Sequence, residues 1–298
     1  MSSFKPCQFN AYFHAICATA ITLAFIVSGR TVLAVDGELD PTFATDGKVL
    51  TDFDHSTDIA NAVAVQTDGK LVVVGTTYIN NDFSDEDFAV ARYNPDGTLD
   101  KTFGVGGKVQ TDFPGLAAVA SSVVVQPDGK IVVAGGAFPL FTFLGDIALV
   151  RYNANGSLDA SFGHGGIVRT RFSAGGSYAF AVTLLSNGKI IIAGTVFVDF
   201  STDDSSNTDF ALVRYNDDGS LDTSFGRGGR VTTHYARQSS DQPSSSIAEA
   251  AVIQRNGKIA VAGLGNGYDF ALARYTTNGH LDPTFDRDGK VLTDFSSG

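Results

Sequence analysis

The sequence predicts an all-β fold: a β-propeller of four blades, each of four antiparallel strands, with a surplus outer strand at one chain end. Three observations predict it. One phrase recurs five times along the chain, at spacings of 60, 59, 63 and 60 residues. Each module between these phrases holds two segments that are apolar on both faces and are joined by an Asp-Gly or Asn-Gly dipeptide. The composition, with 33 Gly, 23 Phe, no Trp and one Met in 298 residues, is not that of a helical bundle, and 43% hydrophobic against 18% charged residues excludes a disordered chain.

The recurring phrase reads GELDPTF from Gly37, GTLDKTF from Gly97, GSLDASF from Gly156, GSLDTSF from Gly219 and GHLDPTF from Gly279. A second phrase follows each: GKVLTDF from Gly47, GKVQTDF from Gly107, GIVRTRF from Gly166, GRVTTHY from Gly229 and GKVLTDF again from Gly289. The repeats are therefore 37–96, 97–155, 156–218 and 219–278, with a partial repeat 279–298, inside one domain 35–298. Self-similarity at a fixed period is the mark of an array of supersecondary units.

Within a repeat, the segments 59–66 and 70–77 flank Asp68-Gly69, so they predict a hairpin with a type I′ turn. Both are apolar on each face, which requires a cover on both sides. A third strand, 88–94, alternates Phe88, Val90 and Arg92 with Ala89, Ala91 and Tyr93; a fourth, 48–53 and its copies, mixes Lys and Asp with apolar residues and suits a sheet edge. Radial sheets that sandwich one another satisfy this pattern. There are four sets of inner strands but five outer ones, and the first and last share DGKVLTDF. One is surplus; the N-terminal copy is preferred for completing the last blade, and the other is free to pair with a second molecule through its edge.

Residues 1–34 read as a signal peptide: Lys5, an apolar run over 15–29, and Val32-Leu33-Ala34 before the first acid, Asp36. The run is shorter than the roughly 20 residues of a spanning helix, so no membrane span is expected in the mature chain, and export places the protein in the periplasm or outside the cell. Both cysteines, Cys7 and Cys17, fall in this segment. The net charge of −11 argues against a nucleic-acid partner.

Taken together, LDxTF, GKVxTDF, an apolar strand ending in QxDGK, IVVAG and DFALVRYN resemble the delta-60 repeat, a bacterial module named for its period and regarded as propeller-forming. The resemblance runs over residues 37–295. It implies a propeller, and it implies no defined reaction, so no catalytic residue is carried over.

The internal copies separate scaffold from site. Arg92, Arg151, Arg214 and Arg274, and Asp100, Asp159, Asp222 and Asp282, recur in every repeat and are expected to bond one another or turn carbonyls. What breaks the pattern is the connection between the second and third strands. It offers Asp82, Phe83, Asp85 and Glu86 in the first repeat and Phe138, Phe141 and Phe143 in the second. The third has Asp199, Phe200, Asp203 and Asp204, and the fourth Tyr268. Variable loops on a rigid scaffold are the layout of a binding surface, so the expected activity is non-catalytic recognition of a protein or a glycan. The alternative is a carbohydrate-active hydrolase or lyase using the acidic loops. The turns 94–100 and 216–222 carry oxygen ligands at alternate positions, as part of a calcium loop does, but lack its twelfth-position Glu. Asx hydrogen bonding explains the same residues. No cofactor is expected, calcium being the one the pattern admits.

Overall fold

The computed structural model describes residues 37–53, 55–79, 82–139, 145–172, 175–199, 207–235, 245–266 and 269–295, with the backbone alone for 82–85 and 199. The expected signal peptide lies outside the described residues. The chain divides into two compact units, Met1–Lys48 and Val49–Gly298. In the first, the LD phrase forms a turn in which Asp40 accepts from both the amide and the hydroxyl of Thr42.

The second unit is all-β. Blade 1 comprises β1 (Asp58–Val65), β2 (Leu71–Ile79), β3 (Asp82–Tyr93) and β4 (Lys108–Thr111). Blade 2 comprises β5 (Leu116–Val125), β6 (Ile131–Pro139), β7 (Asp146–Tyr152) and β8 (Ile167–Thr170). Blade 3 comprises β9 (Ser177–Leu184), β10 (Ile190–Asp199), β11 (Asn207–Tyr215) and β12 (Arg230–Thr233). Blade 4 comprises β13 (Ile247–Ile253), β14 (Ile259–Gly265), β15 (Asp269–Tyr275) and β16 (Lys290–Thr293). Each is a four-stranded antiparallel sheet in chain order.

The sheets stack in sequence: β5 packs on β1, β2 and β3, β9 on β5, β6 and β7, and β13 on β9, β10 and β11. Two-sided apolar strands explain this, since the middle strands of blade 2, β6 and β7, are buried on both faces over nearly their whole length. Blades 1 and 4 each keep one face exposed. Phe270 is 64% exposed, while its counterparts Phe88, Ile147 and Phe210 are fully buried, and Val63 is 61% exposed against 8% for Val123 and 7% for Val182.

The structure corrects three details. The hairpin turn is not type I′: of its residues only Gly69 has positive φ, at 82°, and Gly69 N–H donates to the Gln66 carbonyl. This is a turn closed by a left-handed glycine, with Asp68 accepting from the Lys70 amide and so holding Asp68 itself at negative φ. The outer strand of the last blade is the C-terminal copy, β16, rather than the N-terminal one. A short local turn brings β16 back onto β15, which costs less closure entropy than recruiting residues from the other end of the chain. The N-terminal copy, residues 48–53, forms no strand. Finally, the acidic connection of blade 1 is mostly strand: β2 and β3 continue their pairing to Ile79 and Asp82, so Asp82, Phe83, Asp85 and Glu86 extend the sheet instead of forming a loop.

Every first strand carries a bulge at one place, between Ala60 and Ala62, Ala120 and Ser122, Ala179 and Ala181, and Ala248 and Ala250. The bulge pushes a carbonyl toward the second strand, where only glycine fits. A Cβ on Gly75, Gly135, Gly194 or Gly263 would lie 1.8–1.9 Å from the oxygen of Ile59, Val119, Tyr178 or Ile247. Gly135→Ala therefore forces backbone apart inside blade 2 and is expected to cost about 3 kcal/mol. Urea unfolding should read this as a lowered midpoint, with the equivalent exposed change Gly115→Ala, which meets nothing within 4 Å but has φ +75°, costing less.

Candidate functional site

The antiparallel order places the β1–β2 turn and the LD phrase at one end of each blade. The β2–β3 connection and the passage to the next blade lie at the other end. The first end is scaffold. Arg92 Nε donates to Asp100 at 2.8 Å, and Lys70 reaches the same oxygen at 2.9 Å. The other carboxylate oxygen accepts from the amide and hydroxyl of Thr102. The Arg92 guanidinium lies 4.6 Å from the centre of the Phe103 ring. The same set recurs with Arg151, Asp159, Lys130 and Phe162, with Arg214, Asp222, Lys189 and Phe225, and with Arg274, Asp282, Lys258 and Phe285.

The remaining guanidinium nitrogen reaches the next blade. Arg92 donates to the Ala154 carbonyl at 2.5 Å, Arg151 to that of Asp217, and Arg214 to that of Thr277. The predicted Arg–Asp pairing thus holds in all four repeats, and three of the arginines also bind turn carbonyls. In the turns singled out for calcium-like spacing, Asp96 and Asp218 accept from Thr98 and Ser220 as Asx turns, while Asp100 and Asp222 serve the arginine hubs.

Of the predicted site residues, Phe141, Phe143, Phe200, Asp203, Asp204 and Tyr268 lie outside the described residues. Asp82, Phe83, Asp85 and Asp199 are placed on strand extensions by their backbone. Glu86 and Phe138 have described side chains, and both act on Tyr178 of blade 3: Phe138 by stacking and Glu86 through its charge.

Phe138 ends the run of β6 and stacks on Tyr178 of blade 3, with centroids 5.4 Å apart and planes at 16°. Small residues make room for it: a Cβ on Gly136 or Gly145 would meet the Phe138 ring at 2.6 or 2.3 Å. Tyr178 in turn touches Phe180, the bulge residue of β9, at 4.7 Å, and its hydroxyl shares a hydrogen bond of 2.5 Å with Ser121, the bulge residue of β5. Burial raises the Tyr178 hydroxyl above its ordinary range, the Ser121 bond opposing and the Glu86 charge adding. Glu86 pairs across the strands with Tyr78. Burial holds its carboxyl above the usual carboxylate range, against a hydrogen bond from Tyr78 that lowers it.

Tyr78, Tyr178 and Phe180 escape a reading of loops because they sit in strands. A signal was present nonetheless. Tyr78, Phe138 and Phe197 occupy one position of the second strand in three repeats, and the bulge residues Asn61, Ser121, Phe180 and Glu249 differ in every repeat at a fixed place. Bulges beside a variable position commonly mark sites.

Other concavities are rim grooves between outer strands. One of about 690 Å³ is lined by Phe53, Gly104, Lys108 and Gly156, and one of about 500 Å³ by the equivalent Phe172, Gly226, Arg230 and Gly279. Their lining repeats from blade to blade, as scaffold does. Among the described residues no three of His, Cys, Asp and Glu converge as a metal-holding group, and no helix is long and apolar enough to cross a membrane.

Four-stranded blades joined by one repeated hub define an all-β repeat array. A family model described as "Domain of unknown function (DUF5122) beta-propeller" matches residues 66–103, 126–162, 185–225 and 254–285. Each match runs from the hairpin turn through the LD phrase of one blade and so contains one complete Arg–Asp–Lys hub. The chain belongs to the β-propeller repeat proteins. Among solved structures, a hypothetical protein from Leishmania major matches with 9% identity and a TM-score of 0.28, over 75% of this chain and 87% of that one, too slight a likeness to carry an argument. No curated protein matches the chain.

The hubs set the acid limit of the fold. Burial alone would raise Asp100, Asp159 and Asp222, but hydrogen bonds from lysine and hydroxyl groups and the arginine charge outweigh it, and the carboxyls are held well below the usual range. A depressed folded-state pKa contributes stability that is fully present above the unfolded value of about 3.9 and is lost as pH falls through the folded one. Urea midpoints should therefore stay nearly level from neutral pH to about pH 4 and drop steeply below it. Asp159→Ala strands Arg151, whose side chain is 2% exposed, and should cost about 3–5 kcal/mol. Asp282→Ala, beside an Arg274 that is 20% exposed, should cost clearly less in the same assay.

Proposed function

We propose that this protein is an exported, non-catalytic binding module, built of repeats of the delta-60 type, that recognises its ligand with the variable end of its blades. The observation that supports this reading is the cluster of Tyr78, Glu86, Phe138, Tyr178 and Phe180. Aromatic faces and a carboxyl converge there at positions that break the internal repeat, while the opposite end keeps one hub throughout. A rigid scaffold with an aromatic patch and few polar groups is the usual form of a recognition site. Partly buried rings offer flat apolar faces to the C–H face of a sugar, and a carboxyl beside them accepts from its hydroxyls. A glycan is the ligand this chemistry fits best. The export reading is supported by the sequence of residues 1–34, and calcium has no support from the hub turns.

One observation favours a second reading, a carbohydrate-active hydrolase or lyase. The Glu86 carboxyl is raised as a general acid's is. Glycoside hydrolysis needs a second carboxyl about 5–10 Å away across the sugar, and Asp82 and Asp85 share strand β3 with Glu86 while Asp199 ends β10 of blade 3.

A glycan array probed with the wild-type chain and with Tyr178→Ala and Glu86→Gln separates these readings. Binding that falls at least tenfold in both variants, with no sugar released from the bound glycan, supports recognition. Sugar release that Glu86→Gln abolishes supports the enzyme, and glycan binding untouched by either variant overturns the assignment of the site.

A further inference from the structure

The two bare sheet faces at the ends of the stack are halves of one joint. In the three internal joints, one blade presents the face bearing Phe88, Ile147 or Phe210, and the next presents the face bearing Val123 or Val182; all five are buried. Blade 4 presents Phe270, Leu272 and Val252 at 64%, 38% and 60% exposure; the Phe295 ring of its own blade meets Phe270 edge-on at 4.9 Å, and among the described residues no following blade covers the face. Blade 1 presents Val63 and Val65 at 61% and 68%. Contiguous apolar surface of this kind marks an interaction site.

The polar groups repeat the message. Arg274 spends Nε on Asp282 and Nη2 on Thr284, as its counterparts do, but among the described residues no following blade offers it a turn carbonyl. On the other side, residues 49–53 already sit on blade 1 as the outer strand of a preceding blade would. Thr51 bonds the Tyr93 hydroxyl at 2.6 Å, just as Thr111 bonds Tyr152, Thr170 bonds Tyr215 and Thr233 bonds Tyr275. Lys108 reaches the Asp52 carbonyl and lies over the Phe53 ring, as Lys290 reaches that of His234 and lies over Tyr235. The seat on blade 1 is thus fitted to an outer strand reading VLTDF, and the blade whose outer strand carries that sequence is blade 4, at residues 291–295.

We propose that blade 4 of one chain seats face to face on blade 1 of a second copy, head to tail, repeating the internal joint between molecules. The incoming β13, β14 and β15 cover Val63 and Val65, and β16 takes the place of the partner's own residues 49–53 or yields to it, the two being identical in sequence. Arg274 gains the Pro95 carbonyl of the second copy, which stands where Ala154, Asp217 and Thr277 stand in the internal joints. The contact is heterologous, so two copies close a ring or more extend a file.

The test is sedimentation of the full chain over a wide concentration range, with Val63→Asp and Phe270→Asp. Both sites are exposed, so unchanged thermal melting of each variant verifies that the fold is retained. Wild type is expected to associate, more strongly at high salt because the chain carries a net charge of −11, and each variant alone at least tenfold more weakly. Mixing the two variants restores one joint, since each supplies the face the other lacks, and yields two-chain particles and nothing larger. A wild type that stays a single chain at every concentration overturns the proposal, whether blade 4 has turned onto blade 1 of its own chain or the faces stay bare. Association that survives both substitutions also overturns it, as does a mixture in which no pair forms.

Discussion

Each blade is a sheet with two apolar faces, and the rest of the structure follows from the need to cover both. Burying a phenylalanine side chain contributes roughly 2–3 kcal/mol, and the stacking of the blades does so for Phe88, Phe103, Phe162, Phe210 and Phe225. A single blade in water would expose that surface on two sides, so folding is tied to stacking, as in other repeat arrays. The order of the sheets along the chain, the absence of helices among the described residues and the confinement of charge to the rims all express one requirement.

Apolar faces alone do not fix how far one sheet slides on the next. The arginine hub supplies that register. A buried ion pair adds little net stability because desolvation offsets most of its attraction, but a guanidinium fork has defined directions. With Nε held by the aspartate of its own blade and its plane laid on a phenylalanine, Arg151 has one orientation left in which Nη1 meets the Asp217 carbonyl. The tyrosine hydroxyls do the same work farther along the sheet, each bonded to the threonine of the preceding outer strand.

Much of this was legible because it is repeated. Four copies of DFALVRY with LDxSF allow Arg–Asp pairing to be read before any coordinates, since a charge kept in every copy of an apolar strand needs a partner there. The blade count, the hairpins and the edge position of the fourth strand are legible for the same reason. The turn type was not, because Asp-Gly serves both a type I′ turn and a turn ending in a left-handed glycine, and the choice rests on the φ of Asp68. The strand extensions were not legible either. Acidic residues such as Asp82 and Glu86 read as loop, yet cross-strand pairing of Tyr78 with Glu86 carries the ladder past the body of the sheet. The candidate site was half visible: Glu86 and Phe138 stand out by breaking the pattern, whereas Tyr178 and Phe180 lie in a strand whose alternation hides them until the bulge is known.

That bulge connects the candidate site to the architecture. It turns one residue per blade out of the ladder, and those residues, Asn61, Ser121, Phe180 and Glu249, form a row that crosses the stack from blade to blade. Two of them already bridge neighbours: Asn61 donates to the Ala120 carbonyl at 2.8 Å and Ser121 bonds Tyr178. The glycine opposite each bulge is fixed by backbone contact, so the row is held rigidly while its side chains are free to differ. The variation thus falls at a position of the repeat whose backbone is tightly constrained by the facing glycine while the side chain is free to change in kind. Divergence there leaves in place the apolar faces and arginine hubs that hold the blades together, because neither uses the bulge side chain.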